Sequence, residues 1–461
     1  MWGEEVHHRM QASFSGTLTE RDWKRHISHP FEVPSGATRL FIRLRFEPPA
    51  FDGINTMLCL SLFDPAGFRG AGHRGGAQHD VVIDALHATP GYMPGSLQAG
   101  QWDAVIDTHM VAPGAPCHYT LDISTTDEPV APVAPPTPTP VTHLTKTPGR
   151  GWYRGDLHAH TIHSDGKWDI PALLEAARAR HLDFVALTDH NTIAQLHNLD
   201  ALTTDDLLVM GGMELTTFWG HALSLGTRRW IDWRVRTGER SMPQIAAEIE
   251  KEGGLFVIAH PLAPGDPPCT GCDWRYVDMM PGTARAVEVW NGLWNGDSNN
   301  EAALALWYEW LNWGLRITAT AGTDAHGPAP AEARPGFNVV YATRRDEGAI
   351  LRAIAHGRLY LSSGPALELT GASGATTGMM GDMLPRGAAT IQARWRDVPP
   401  GARLRLIANG AQIDEDIATP GGERSWMLNG SEAQWWCVAE IRAADGELLA
   451  VTNPIYFEPG E

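Results

Sequence analysis

Between Glu128 and Pro140 the sequence reads Glu-Pro-Val-Ala-Pro-Val-Ala-Pro-Pro-Thr-Pro-Thr-Pro. Proline has a fixed φ and no amide hydrogen, so this tract enters neither a helix interior nor a sheet ladder. Such a composition favours an extended polyproline II spacer instead. A chain of 461 residues is already too long for one core, and the tract says where it divides. We assign 1–127 to an N-terminal domain and 128–149 to a linker. The rival use of such a tract, a docking ligand for a partner, fits less well with the enzyme-like centre downstream of it.

Upstream of the linker the pattern is β. Thr38–Phe46 alternates apolar and polar residues, as a half-buried strand does. Met57–Phe63, Val81–Ile83, Gln101–Asp107 and Cys117–Ile123 are further strands. Pro48-Pro49, Asp64-Pro65-Ala66-Gly67 and Pro113-Gly114-Ala115-Pro116 supply turns between them. This spacing predicts a β-sandwich or jelly roll. No cluster of catalytic residue types stands out here, so a structural or accessory role is expected.

Downstream, apolar runs alternate with helical stretches. Asp169 and Pro171 open a helix through about Arg180, Ser241-Met242-Pro243-Gln244 opens a second, and Ser298-Asn299-Asn300-Glu301 starts a third. The apolar runs between them end in a restricted set of residues. They deliver His158 and His160, His190, Glu214, His260, then Asp324 and His326. His221 begins its own strand, and Asp165 lies in a Ser-Asp-Gly turn after the first. In a parallel β/α barrel such strand ends meet on one rim, where active sites form. Imidazoles and carboxylates without thiolate suit Zn²⁺, Mn²⁺ or Fe²⁺. There are too many of them for one tetrahedral ion, so two or three ions are expected, with Glu214 able to bridge a pair.

The ordered motifs resemble the PHP (polymerase and histidinol phosphatase) family, in particular its carbamate-hydrolase-like branch. They are His158-x-His160 with Ser164-Asp165-Gly166, Leu187-Thr188-Asp189-His190, Gly212-Met213-Glu214, Gly220-His221, Ala259-His260-Pro261 and Thr323-Asp324-Ala325-His326. The resemblance covers roughly 150–365 and implies a distorted (β/α)7 barrel with a trinuclear metal centre. It would place His158, His160, Glu214 and Asp324 on one ion, Glu214, His221 and His260 on a second, and Asp165, His190 and His326 on a third. The Asp165 position is His in some relatives, and His163 offers a competing imidazole in the same turn.

Two adjacent divalent ions can share a water and lower its pKa toward neutrality. The expected activity is therefore hydrolysis of small phosphomono- or phosphodiesters by a metal-bridging hydroxide. Hydrolysis of a carboxyl ester or carbamate at the same centre is the alternative, and a metal-stabilised binding protein without turnover is a third reading. Asp324 or a ligand histidine such as His221 is expected to move the proton, and Arg154 or Lys167 to hold substrate oxygens. Asp156 and Asp189 are placed to orient imidazoles. Trp219, Trp290, Asn291 and Trp294 are candidates for an aromatic pocket, with ordinary packing the commoner use of tryptophan.

Cys269-Thr270-Gly271-Cys272 reads as a loop-stiffening pair rather than a redox centre or zinc site. From 366 to 461 the pattern returns to β, with Asn409-Gly410 as a hairpin turn. We expect an Ig-like β-sandwich there that shields the barrel or builds a homodimer. The formal net charge of −18 argues against a nucleic-acid surface. With no signal peptide and no membrane-spanning apolar stretch in the sequence, a cytoplasmic protein acting on a small-molecule ester is expected.

Overall fold

The computed structural model describes residues 8–130, 149–330, 332–430 and 435–458. Most of the proline-rich linker, 131–148, lies outside the described residues. The fold is mixed α/β and rich in sheet.

Every N-terminal strand expected from the sequence is present, and His8–Leu18, His26–Val33 and Gly67–Gly72 join them. They form two four-stranded antiparallel sheets. One runs His8–Leu18, Cys117–Thr126, Arg39–Glu47, Gln78–Asp84, and the other His26–Val33, Gly100–Met110, Met57–Asp64, Gly67–Gly72. The alternation in Arg39–Glu47 explains the packing. Leu40, Ile42, Leu44 and Phe46 are buried in a cluster with Leu58, Leu60, Leu62 and Ile106 from the other sheet. Each such side chain contributes about 1.5–3 kcal/mol through burial. The intervening Arg43 and Arg45 pair with Asp80 and Asp122 at the surface.

In the central region the hydrogen-bonded order is Thr318–Gly322, Ala286–Asn291, Leu255–Ile258, Gly220–Leu225, Leu208–Thr217, Phe184–Leu187, Gly151–Asp156, Phe337–Ala342, Leu359–Ser362. Leu208–Thr217 runs longer than its apolar stretch predicts. Residues 208–211 pair parallel with 184–187, and residues 212–217 turn to pair antiparallel with 220–225. The partner changes at Gly211-Gly212, where an added Cβ at Gly211 would lie 2.2 Å from the Arg228 guanidinium.

The expected (β/α)7 barrel is not found as a closed ring of backbone hydrogen bonds. Between Thr318–Gly322 and Phe337–Ala342 a side chain replaces the ladder. Asn338 Oδ1 accepts from Ala321 N at 2.9 Å, and Asn338 Nδ2 donates to Ala321 O at 2.6 Å and Gly155 O at 3.3 Å. Beyond the strands, Asp324 N donates to His158 O (2.8 Å) and His160 N to Ala325 O (3.0 Å). The sheet therefore curls far enough to bring its distant ends together. The helical layer is also incomplete: 3₁₀ turns, loops and a hairpin stand in several strand-to-strand connections where a (β/α)7 barrel would carry helices.

Asp169 and Ser241 cap their helices as the sequence predicts, and Asp346 caps a fourth, Glu347–Ala355. Asn299 does not: it is left-handed at φ 53° and makes no cap bond. Its Nδ2 donates to Leu262 O, while Ser298 Oγ donates to Asn291 Oδ1. These polar residues tie loops together instead.

The C-terminal strands continue the central sheet. Leu359–Ser362 pairs with Leu448–Thr452, followed by Trp436–Arg442, Arg403–Ala408 and Ala411–Ile417. A second sheet of Thr376–Met379, Ala366–Ser373, Gly387–Arg396 and Gly422–Gly430 shares a core with it. Asn409 and Gly410 take the positive φ values that a tight hairpin needs. Trp436, Val438, Leu448 and Val451 lie in one apolar cluster with Trp307 and Trp310 of the central region. Among the described residues, no helix is long and apolar enough to cross a membrane.

Candidate metal centre

The first strand of the central region carries the chain to Asp156, whose buried carboxylate fixes the backbone beyond it. Asp156 Oδ1 accepts from His158 N (3.2 Å) and Thr323 N (3.0 Å), so the two ligand-bearing segments are pinned to one side chain. Gly322 permits the close approach, since a Cβ there would meet Glu288 Oε1 at 2.2 Å and His158 Cβ at 2.4 Å. Asp189 fastens the other edge, accepting from Thr161 N, Thr161 Oγ1, Ser164 N and Ser164 Oγ. Asp156 and Asp189 thus hold backbone and hydroxyl groups, not the imidazoles expected of them. His260 and Asp324 are left-handed, at φ 26° and 50°. Such backbone persists where the surroundings over-determine it.

Glu214 stands at the centre, on a strand buried along its length. Its Oε1 lies 3.0 Å from His221 Nδ1 and 3.2 Å from His260 Nε2. Its Oε2 lies 2.7 Å from His190 Nδ1, 3.3 Å from His158 Nε2 and 3.5 Å from His160 Nε2. Asp324 Oδ1 is 2.8 Å from His160 Nε2 and 3.4 Å from His158 Nε2. His158, His160, Glu214 and Asp324 thus gather ligand atoms within 4.8 Å of one another, as do His160, Asp165, His190 and His326.

The turn residue in the second group is Asp165, whose Oδ1 is 3.4 Å from His190 Nε2 and 3.2 Å from His326 Nε2. His163 is engaged elsewhere, its Nδ1 accepting from Gly91 N at 3.2 Å. Gly166 allows the turn to fold back, because a Cβ there would lie 2.7 Å from the His160 carbonyl. This end of the site is the open one. The Asp165, Asp324 and His326 side chains are 28%, 23% and 38% exposed, while His158 and His160 are at 0%.

Electrostatics derive from this crowding. Burial disfavours charge on Glu214 and Asp324, but the surrounding imidazoles outweigh it and hold both carboxyls well below their usual range. Burial alone would lower His158, yet Asp324, Glu288 and Glu214 raise it well above its ordinary value. His326, with Asp165 and Asp324 beside it, is raised to about 9 despite burial.

Several of these atoms are buried without a hydrogen-bond partner: His158 Nε2, both nitrogens of His160, Asp165 Oδ1, Glu214 Oε2, His260 Nδ1 and Asp324 Oδ1. Leaving a buried polar group unsatisfied costs about 1–3 kcal/mol, more if charged. So many orphaned donors converging on two carboxylates fit divalent cations, which take them all as ligands. His158, His160, Glu214 and Asp324 can hold one ion, Glu214, His221 and His260 a second, and Asp165, His190 and His326 a third.

Other candidates stand elsewhere. Arg154, expected to clamp substrate oxygens, does not face the cluster. Its guanidinium lies 4.0 Å over the Phe337 ring, and Asp183, at the start of the next strand, accepts its backbone N–H. It lies two residues before the end of its strand, and its side chain packs against Phe337 of the neighbouring strand instead of reaching past the strand end to the ligands. Lys167 is exposed at the rim, its backbone N–H donating to His326 O at 2.8 Å. Trp290 and Trp294 are buried core residues, edge to face at 4.9 Å. Trp219 is half exposed, with Lys24 Nζ 3.5 Å above its ring. Asn291 reaches the site, its Nδ2 lying 3.1 Å from Glu288 Oε2 and 3.3 Å from Asp324 Oδ2. Cys269 and Cys272 form a disulfide.

Two contributors escaped the sequence. Glu288 is buried, 3.2 Å from His158 Nδ1, and accepts from His260 N at 3.1 Å. It orients a ligand imidazole through its other nitrogen; its place inside an apolar run was the available signal. The N-terminal strands also reach the centre. Thr192 Oγ1 donates to Gly91 O at 2.7 Å, and the His73 ring lies 4.5 Å from that of His190.

No family model matches the chain, and no curated protein matches it. Three solved structures are similar at a low level. A two-domain protein from Bacteroides vulgatus, named as containing a predicted PHP-like metal-dependent phosphoesterase, aligns over 68% of this chain and 98% of its own, at 15% identity and a TM-score of 0.38. A protein from Bifidobacterium adolescentis, provisionally named a metal-dependent phosphoesterase, covers 41% of this chain and 93% of its own, at 19% identity and a TM-score of 0.29. An amidohydrolase from Chromobacterium violaceum, with bound sulfate and no metal, covers 39% and 93%, at 18% identity and a TM-score of 0.28. These likenesses are too slight to carry the reading of the site, which rests on its geometry.

Proposed function

We propose that the protein is a metal-dependent hydrolase of small phosphomono- or phosphodiesters. The observation that carries this reading is the convergence of unpartnered, buried imidazole and carboxylate atoms around Glu214. When bound, adjacent divalent ions supply a nucleophile from water at neutral pH and polarise the oxygen on which charge develops. The chain's own residues do the rest. Glu214 spans two ligand groups and fixes their spacing. Glu288 and Asn291 hold His158 and Asp324 in place. Substrate enters at the open end, where the Asp165, Asp324 and His326 side chains are partly exposed. Lys167 is the remaining rim cation for a phosphoryl oxygen. Asp324, partly exposed and next to His160, is placed to pass a proton to the leaving group.

The second reading is hydrolysis of a carboxyl ester or carbamate. It draws support from Arg154, whose guanidinium, a group that phosphate recognition favours, packs on Phe337 and does not face the ligand cluster. We place the protein in the PHP-like, carbamate-hydrolase-like group, with N-terminal and C-terminal units flanking the central one. A panel of aryl phosphates, aryl esters and carbamates, assayed with Zn²⁺ and with Mn²⁺, separates the readings. Turnover of phosphates supports the first, and turnover confined to esters or carbamates the second. No turnover of any substrate by metal-loaded protein overturns both in favour of a binding role.

A further inference from the structure

Cys59, His73 and His109 come from separate stretches of one N-terminal sheet. The pairing of Leu60 with Gly72 brings Cys59 beside His73, and Cys59 itself lies opposite Asp107. His109 arrives by an irregularity. Leu58 pairs with Thr108 and Met57 with Met110, so His109 is the extra residue of a bulge. Bulges re-aim a side chain at the expense of one ladder position. The His109 carbonyl takes the Trp23 indole N–H at 2.6 Å. Its ring turns inward, edge to face with His73 at 4.6 Å.

Three features make this more than packing. The ligand atoms of the three residues all lie within 4.8 Å of one another, and the residues are 3%, 5% and 1% exposed. Both ring nitrogens of His109 are buried with no hydrogen-bond partner, a cost that apolar surroundings do not relieve. Cys59 Sγ lies 3.5 Å from His73 Nδ1. Zinc bonded to sulfur at about 2.3 Å and to nitrogen at about 2.0–2.1 Å in tetrahedral geometry puts those two atoms about 3.5 Å apart.

We propose that Cys59, His73 and His109 form an additional metal site of thiolate–imidazole type, separate in ligand chemistry from the oxygen- and nitrogen-rich centre around Glu214. On binding, Cys59 gives up its thiol proton to solvent and the two neutral imidazoles donate lone pairs. One thiolate with two imidazoles suits Zn²⁺ or copper better than Mn²⁺ or Mg²⁺. The site adjoins the larger centre through the His73–His190 ring contact. An ion there would tie the N-terminal sheet to the open end of the catalytic region.

The test uses the full chain loaded with Co²⁺, whose thiolate bond gives a near-ultraviolet charge-transfer band, and with Zn²⁺, read by X-ray absorption. The expected result is a thiolate–Co²⁺ band and sulfur scattering at about 2.3 Å from zinc. Cys59→Ala should abolish both and remove one metal equivalent. Cys272→Ala should leave them intact, which excludes the other cysteine near ligand histidines. His109→Phe, which keeps a ring against Phe218 and Trp233, should also lose the band and covers the case in which Cys59→Ala does not fold. A parent protein saturated with Co²⁺ that shows no thiolate band, or a band that survives Cys59→Ala, overturns the proposal. Neither outcome bears on metal content around Glu214, so the two readings fail separately.

Discussion

The N-terminal and C-terminal strands flank the same central region and touch it by different means. The C-terminal strands extend its sheet and merge with its apolar core, with Trp436 fully buried and its indole donating to Asn312 Oδ1 at 2.9 Å. The N-terminal sheets keep their own core and meet the centre through polar and ring contacts. Lys24 Nζ donates to Phe218 O and Asp266, His26 stacks on Phe218 at 4.8 Å, Gly91 holds His163 and Thr192, and His73 faces His190. One flank therefore merges with the central core, and the other reaches the candidate metal centre. Apolar merging makes a region thermodynamically inseparable, whereas contacts through hydrogen bonds and rings can shape a site while the folds stay distinct.

The contrast is sharpened first at the centre itself. Glu214→Ala, which removes the carboxylate both ligand groups share, should eliminate bound metal and lower activity by more than about a hundredfold, with the fold kept by circular dichroism. Unchanged metal by elemental analysis would sink the ligand assignment. Next comes the C-terminal seam. Trp436→Ala should cost about 3–5 kcal/mol in denaturant unfolding. A loss below about 1 kcal/mol would mean that the shared core matters little to stability. Glu288→Gln should weaken metal affinity about 10–100-fold by loosening His158, with little change in melting temperature. A competitive chelator titration reads this directly.

The smallest effect concerns acid. Asp382 lies between the regions, accepting from Met379 N, His356 and Arg358. Burial would raise its carboxyl, but those three donors outweigh it and hold it below the usual range. Its folded pKa is depressed, so its contribution is complete above the unfolded value of about 3.9 and fades as pH falls through the folded one. With partial exposure the contribution is under about 1 kcal/mol. Asp382→Asn should flatten the stability profile below about pH 4. An unaltered acid limb would show that this tether contributes nothing.

Legibility tracked the range of the forces. Strands and capped helices rest on local spacing and capping chemistry, so Arg39–Glu47, the Asp169 cap and the Asn409-Gly410 turn could be read directly. The convergence of the candidate ligand residues was legible because strand ends repeat one residue class. Glu288 was not, since a carboxylate inside the apolar run Ala286–Asn291 signals a buried partner without saying which, and its partners arrive from elsewhere. Cys59, His73 and His109 were hidden for the same reason. Their proximity depends on sheet register and on one bulge, and neither leaves a local mark. Arg154 misled because closeness in sequence to His158 does not say where a long side chain turns, and its guanidinium packs on Phe337.

The carboxamide of Asn338 stands where a ladder would otherwise run, and this has a kinetic consequence. A ladder opens only when several peptide bonds let go together, but here rotation of one side chain releases the Ala321 amide. That amide should exchange with deuterium faster than its buried neighbours, and faster still in Asn338→Ala. Just past the seam lie Asp324 and His326 on one side and His158 and His160 on the other. The place where the sheet can breathe is thus also the place where the candidate ligands of one ion group meet.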